Sequence, residues 1–198
     1  HLPEQDAPEV LLTQVRDRYE KQLHCQWIGP LGFSETRTLA IRRELSKSEG
    51  VSTLSQASEY QPGWAILGPS DFQTEADGLG LLLRHYPLRL SRPVQIENQP
   101  GAAGAEDPQL LAGRASDWST GDERYVVLED DKHALPPYDV GIVVKQETLD
   151  AVPGLGDALR ALNGKITLQR MRDMRHRVES DQSTAEVVVT QFLKEAGL

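Results

Sequence analysis

One cysteine stands in the whole chain, Cys25, which excludes an internal disulfide and any metal site built from several thiolates. His24, His85, His133 and His176 are scattered, with no His-x-x-x-His or His/Cys pair at ligand spacing, so no metal and no cofactor is expected. Ser116-Asp117 and Glu129-Asp130-Asp131 lack a neighbouring histidine that would complete a nucleophile and base, and the acidic trio reads as a cap for a turn. Gly78-Leu79-Gly80 lacks the third glycine and the lysine of a phosphate-binding loop. With no acid, base, nucleophile and metal brought together, no catalytic residue is assigned and no enzyme is expected. Positive charge is short as well: 21 basic residues against 30 acidic ones leave a formal charge of −9, a field that repels phosphate backbones and argues against a nucleic-acid partner. The basic group Arg170, Arg172, Arg175, His176 and Arg177 is broken by Asp173 and followed by Glu179, the pattern of a solvated helix face. No apolar run approaches the roughly 20 residues that span a bilayer. The opening His1-Leu2-Pro3-Glu4-Gln5-Asp6 does not have the pattern of a secretory leader, which leaves a cytoplasmic, a processed or an excised chain.

What is present suffices for a folded body. The 198 residues are 38% hydrophobic, enough for one domain or two small lobes. Val10, Leu11, Val15, Tyr19 and Leu23 recur at helical spacing over residues 8–24, with Pro8 in the first turn. Residues 27–33 read as a strand leading into a loop, and 36–41 as a second strand. A short helix is expected at 44–47, and Thr53 with Gln56 has capping-box spacing for another. A strand at 64–68 precedes a short helix capped by Ser70 or Asp71, and a more apolar helix from Gly78 stops near Pro87. Residues 94–97 alternate as a half-exposed strand, 98–107 read as loop, and 109–112, 125–128 and 142–144 suit buried strands. Helices follow at about 154–162, 167–178 and 183–196. Strands alternating with helices predict an α/β fold with a largely parallel sheet. Trp27 and Trp64 are expected to be packing residues.

Three stretches carry a resemblance. Trp27-Ile28-Gly29-Pro30-Leu31-Gly32-Phe33 is followed by Leu39-Ala40-Ile41-Arg42-Arg43; Tyr125-Val126-Val127-Leu128-Glu129-Asp130-Asp131-Lys132-His133 runs on to Pro136-Pro137-Tyr138; and the tail holds Leu162-Asn163-Gly164-Lys165-Ile166-Thr167 and Phe192-Leu193-Lys194-Glu195-Ala196-Gly197-Leu198. In order and spacing these resemble the substrate-binding proteins of glycine betaine, choline and carnitine ABC transporters. The resemblance implies a periplasmic-binding-protein-like (type II) α/β architecture of two lobes closing on a ligand like a hinged clamp. It implies a linker or helix at 1–25, a second lobe at 26–119 and the returning part of the first lobe at 120–198, with the first lobe incomplete. Such a lobe would leave a sheet edge exposed, for which a homo-oligomer completing it is one expectation.

Members of that family hold a quaternary ammonium in an aromatic cage, because a cation without hydrogen-bond donors is best met by ring faces. Carried onto this chain, the pattern implies ligand-binding roles for Thr36, Arg37, Arg114, Asp117, Tyr138 and Asp139. Thr36 and Tyr138 match the family pattern, whereas Arg37 and Arg114 stand where aromatics belong and Asp139 where Asn is usual. Trp118 is a further candidate for a cage aromatic. Two readings of the arginines stay open: paired guanidiniums that turn the site toward an anionic or zwitterionic solute, or residues ion-paired to Glu35 or Asp117 in a site that has lost its ligand. The resemblance implies a small compatible solute such as glycine betaine or choline, a transporter permease as partner, and an extracytoplasmic location. The alternative is a respecialised fold that takes an anionic solute or acts through protein contacts.

Overall fold

The structure is a computed structural model that describes residues 8–96, 108–117, 124–179 and 183–198; Trp118 and the loop expected at 98–107 lie outside them. The chain begins with α1 (Pro8–Leu23), whose first-turn proline lacks only an N–H that no helical carbonyl would have met. β1 (Cys25–Ser34) runs through the whole Gly- and Pro-punctuated stretch instead of ending in a loop, and pairs with β7 (Asp139–Lys145) in a two-stranded sheet. Glycine makes that continuity possible: Gly29 and Gly32 have φ of +29° and +121°, and a Cβ on Gly29 would meet the Asn163 amide at 2.4 Å.

A five-stranded sheet has the order β4 (Gln95–Ile96), β3 (Ile66–Gly68), β5 (Leu110–Arg114), β2 (Arg37–Arg42), β6 (Tyr125–Val127). β3 is parallel to β4 and β5, but β2 is antiparallel to both β5 and β6, so the largely parallel sheet expected from the sequence is corrected to a mixed one. Short apolar runs bury equally well in either direction, so periodicity carries no information on strand sense. Of the runs expected as buried strands, β5 is buried in most of its length, whereas β6 is half-buried and β7 alternates between half-buried and exposed.

The helices are α2 (Arg43–Glu49), α3 (Leu54–Glu59), α4 (Ser70–Thr74), α5 (Leu79–His85), α6 (Gln146–Ala151), α7 (Leu155–Arg160), α8 (Leu168–Glu179) and α9 (Ala185–Ala196). α6 was not anticipated. The Thr53/Gln56 capping box forms as expected: Thr53 accepts from the Gln56 N–H at 3.1 Å and the Gln56 side chain accepts from the Thr53 N–H at 3.1 Å. The cap expected for α4 does not form; Pro69 holds the N-cap position and Ser70 is already helical.

Two compact units result. One comprises the chain up to Phe33 with Asp139–Thr167 and Val189–Leu198; the other comprises Ser34–Tyr138 with Leu168–Val188. β6 and the segment to Tyr138 thus belong with the five-stranded sheet, although the sequence grouped residues 120–138 with the later helices. The core of the sheet unit gathers Leu39, Ile41, Trp64, Ile66, Tyr86 and Leu110. Trp64 is fully buried, stacks on Tyr60 and donates its indole N–H to Ala57 O at 2.8 Å. Trp27 is half-buried, packing on Tyr19 and over Gly141. Buried Tyr86 donates to Asp130 and accepts from the Lys132 N–H at 2.7 Å, while Asp130 also accepts from the N–H groups of Ala134 and Leu135. The acidic trio therefore closes a turn, as its composition suggested.

Candidate functional site

Strand sense decides which side chains meet. β5 is parallel to β3 and antiparallel to β2, so the carboxyl ends of β3 and β5 and the amino end of β2 share one edge of the sheet, the edge where open α/β sheets bind ligands. Arg37 opens β2, Arg114 closes β5, and the two are direct cross-strand partners. Like charges in that relation repel. The chain leaving β3 resolves the conflict, because α4 carries Asp71 in its first turn, Glu75 at its C-cap and Asp77 just beyond.

Arg37 Nη2 donates to Asp71 Oδ2 and Glu75 Oε2 at 3.0 Å each, and its Nε lies 3.2 Å from Asp77 Oδ1. Its side chain is 3% exposed. Burial alone would favour loss of the Arg37 proton, but the hydrogen bond to Asp71 and the nearby charge of Asp77 outweigh it and raise the pKa. In return the Arg37 hydrogen bond holds the Asp71 carboxyl below its ordinary range. Arg114 differs. Its side chain is about a third exposed, Nη1 reaches the Glu35 carbonyl at 3.3 Å, and Nη2 stands 3.7 Å from Asp71 Oδ2.

Tyr138 is tied to the start of the same edge: its N–H donates to Ser34 Oγ at 2.7 Å and its carbonyl accepts from the Glu35 N–H at 2.8 Å. Its phenol pKa is raised, first by burial and then by a hydrogen bond with Asp77. Glu75, Ala76, Asp77, Arg114 and Tyr138 line a cavity of about 530 Å³. Thr36 stands beside this group, its hydroxyl 2.9 Å from that of Ser34 and its carbonyl accepting from the Ala115 N–H.

Of the residues implied by the resemblance, the structure brings Arg114 and Tyr138 to the cavity wall, with Arg37 ion-paired to Asp71, Glu75 and Asp77 and Thr36 next in the chain. Asp117 is engaged elsewhere: one oxygen accepts from the Arg114 N–H at 2.6 Å and the other pairs with Arg175 Nη1 at 2.6 Å. Asp139 is exposed at the start of β7, in the other compact unit. Glu35 and Asp117, the acids weighed as ion-pair partners of Arg37 and Arg114, are engaged elsewhere: the Glu35 carboxylate accepts from Ser116 Oγ at 2.6 Å and Asp117 pairs with Arg175, while the arginines meet Asp71, Glu75 and Asp77.

Sequence reasoning missed Asp71, Glu75 and Asp77, whose only signal is acidic density directly after a strand. It also read the basic group around residue 175 as solvated. Two of its members are instead docked on the 3-10 turn Ala115–Asp117: Arg172 Nε donates to Ala115 O at 2.8 Å and Arg175 donates to buried Ser116 at 2.9 Å. Burial lowers the Arg172 pKa, whereas the Asp117 hydrogen bond outweighs burial and raises that of Arg175. Two further cavities, of about 480 and 550 Å³, contain none of the implied site residues. Among the described residues, no group of His, Cys, Asp and Glu is placed to hold a metal ion.

Comparison with known proteins follows the same lines. The family model for the substrate-binding domain of the ABC-type glycine betaine transport system matches residues 7–195. The chain is 27% identical over 192 residues to the ergothioneine transport permease/ergothioneine binding protein EgtU of Helicobacter pylori, covering 96% of this chain and 35% of that protein. It is 24% identical over 190 residues to the carnitine transport binding protein OpuCC of Listeria monocytogenes, covering 94% of this chain and 62% of that one. It therefore spans less than two thirds of the length of either relative. A crystal structure of a glycine betaine/carnitine/choline ABC transporter superposes with a TM-score of 0.77 at 21% identity, covering 96% of this chain and 70% of that chain. The fold is the mixed α/β, periplasmic-binding-protein-like one.

Proposed function

Because the chain belongs to the family of substrate-binding domains of ABC-type glycine betaine transport systems, a family of binding domains rather than enzymes, we propose that it holds a small compatible solute, such as glycine betaine or choline, and presents it to a transporter permease. An extracytoplasmic position belongs to the same proposal. Among the described residues, no helix is long and apolar enough to cross a membrane.

The observation that carries this reading is the compensation of Arg37. Paired free guanidiniums would favour an anion, but here two guanidiniums face the three carboxylates of Asp71, Glu75 and Asp77, which leaves one negative charge in excess. An anionic solute meets net repulsion at such a site, whereas a cationic group is attracted both to Glu75 and Asp77 and to the ring of Tyr138. Among the described residues the cavity lining carries one aromatic ring, Tyr138, and carboxylates add to its attraction for a cation. A ligand that binds only the folded protein raises its melting temperature with concentration, by about 2.7 kcal/mol of stability at a hundredfold excess over Kd. Thermal-shift titrations with glycine betaine, choline, carnitine, proline betaine and a dicarboxylate are expected to give saturable shifts with the cationic and zwitterionic solutes alone. Absence of any shift at millimolar concentrations would remove solute binding from this chain.

A further inference from the structure

We propose that Arg114 is the specificity-determining residue of this cleft and that it reads a carboxylate, so that the site prefers a zwitterion with separated charges over a simple cation such as choline. The inference rests on the reading of the cleft as a solute site. Its starting point is the different fate of two arginines that the β-sheet places side by side. Arg37 is buried and lies in ion-pair range of three carboxylates, so its charge is already matched within the protein. Arg114 lines the cavity, is about a third exposed, and among the described residues its guanidinium makes one long hydrogen bond, to a carbonyl. Asp71 lies in its ion-pair range at 3.7 Å, beyond hydrogen-bond distance. A guanidinium carries five N–H donors in a planar fork, and a carboxylate is the partner that meets two of them at once.

The cavity wall carries charges of both signs. Glu75, Asp77 and the Tyr138 ring line it, and among the described lining residues Arg114 is the one cationic group. Arg37 lends its charge to the same carboxylates and fixes them in place, which makes it a positioning residue rather than a ligand contact. A zwitterion satisfies both kinds of wall group. Choline satisfies the ring and the carboxylates but leaves the covered guanidinium with no anion nearer than Asp71 at 3.7 Å, and a site built to bond a group discriminates against the analogue that lacks it.

Calorimetric titration of the whole chain with glycine betaine, carnitine and choline tests this, using the natural protein, Arg114→Met and Arg114→Lys. The natural protein is expected to bind both zwitterions at least tenfold more tightly than choline. Arg114→Met is expected to cut the betaine-to-choline affinity ratio by roughly tenfold to a hundredfold, the value of a hydrogen-bonded charge pair, with Arg114→Lys retaining part of the ratio. Choline binding as tightly as betaine to the natural protein overturns the assignment of Arg114 while leaving the solute site standing. So does an unchanged ratio in a folded Arg114→Met protein. If Arg114→Met fails to fold, the ratio in the natural protein and in Arg114→Lys decides alone. No binding of any solute to the natural protein instead overturns the solute-site reading and this inference with it.

Discussion

Removing the guanidinium of Arg37 would leave Asp71, Glu75 and Asp77 facing one another without their shared cation. Breaking a buried pair from one side costs several kcal/mol, yet the Asp71 and Glu75 side chains are 39% and 53% exposed and regain water when released. A loss of roughly 2 kcal/mol is therefore expected for Arg37→Met near neutral pH, read as a lower urea midpoint at unchanged slope. The pH profile separates this cause from simple loss of packing. Arg37 depresses the Asp71 pKa in the folded state. That stability is present above the unfolded value near 3.9 and is lost as pH falls through the depressed value. The deficit of Arg37→Met should accordingly be full above about pH 5 and narrow below about pH 4; a deficit independent of pH would assign the effect to packing. Positions 37, 114 and 138 were legible because the family pattern marks them, and the sheet register explains why the first two belong together. Asp71, Glu75 and Asp77 were not, because nothing in a run of acids after a strand states which basic side chain it will reach.

Local chemistry was readable at the level of elements wherever the interaction spans one turn. Thr53 and Gln56 lie three residues apart and satisfy each other's backbone N–H groups; Gln56 also accepts from the Ser52 N–H at 2.8 Å. Thr53→Ala is expected to cost about 1 kcal/mol, measurable by urea denaturation, and a change below about 0.3 kcal/mol would mean that the cap carries no weight. The same reasoning misjudged α4, where Ser70 and Asp71 are both helix-capping types. Asp71 is spent on Arg37 instead, a tertiary demand overriding a local preference. Strand direction failed for a related reason: β2 and β5 read as interchangeable apolar runs, and only their pairing from Arg37↔Arg114 to Ile41↔Leu110 makes them antiparallel. The basic face of α8 was misread because its neighbour, the turn at Ala115–Asp117, is distant in sequence.

The two compact units differ in what holds them. Among the described residues, the buried hydrophobics of the first unit are Ile28, Phe33 and Phe192, whereas the second contains the cluster around Leu39, Ile41, Trp64, Ile66, Tyr86 and Leu110. A two-stranded sheet is marginal on its own, and β7 has no buried residue along its length. Stability is distributed unevenly in such a chain, and segments with few buried apolar contacts open at a lower free energy than the global one. Amide hydrogen exchange is therefore expected to proceed first in β7, α6 and α7 and last in β2, β3 and β5. The inequality has a functional side, because Asp71, Glu75, Asp77, Arg114 and Tyr138 all belong to the well-cored unit. Ligand binding there would slow exchange at α4 and at the Arg114 end of β5 beyond its effect on β7. Equal protection of β7 and β2 in the free protein would show that the sparse unit draws its stability from something other than its own core.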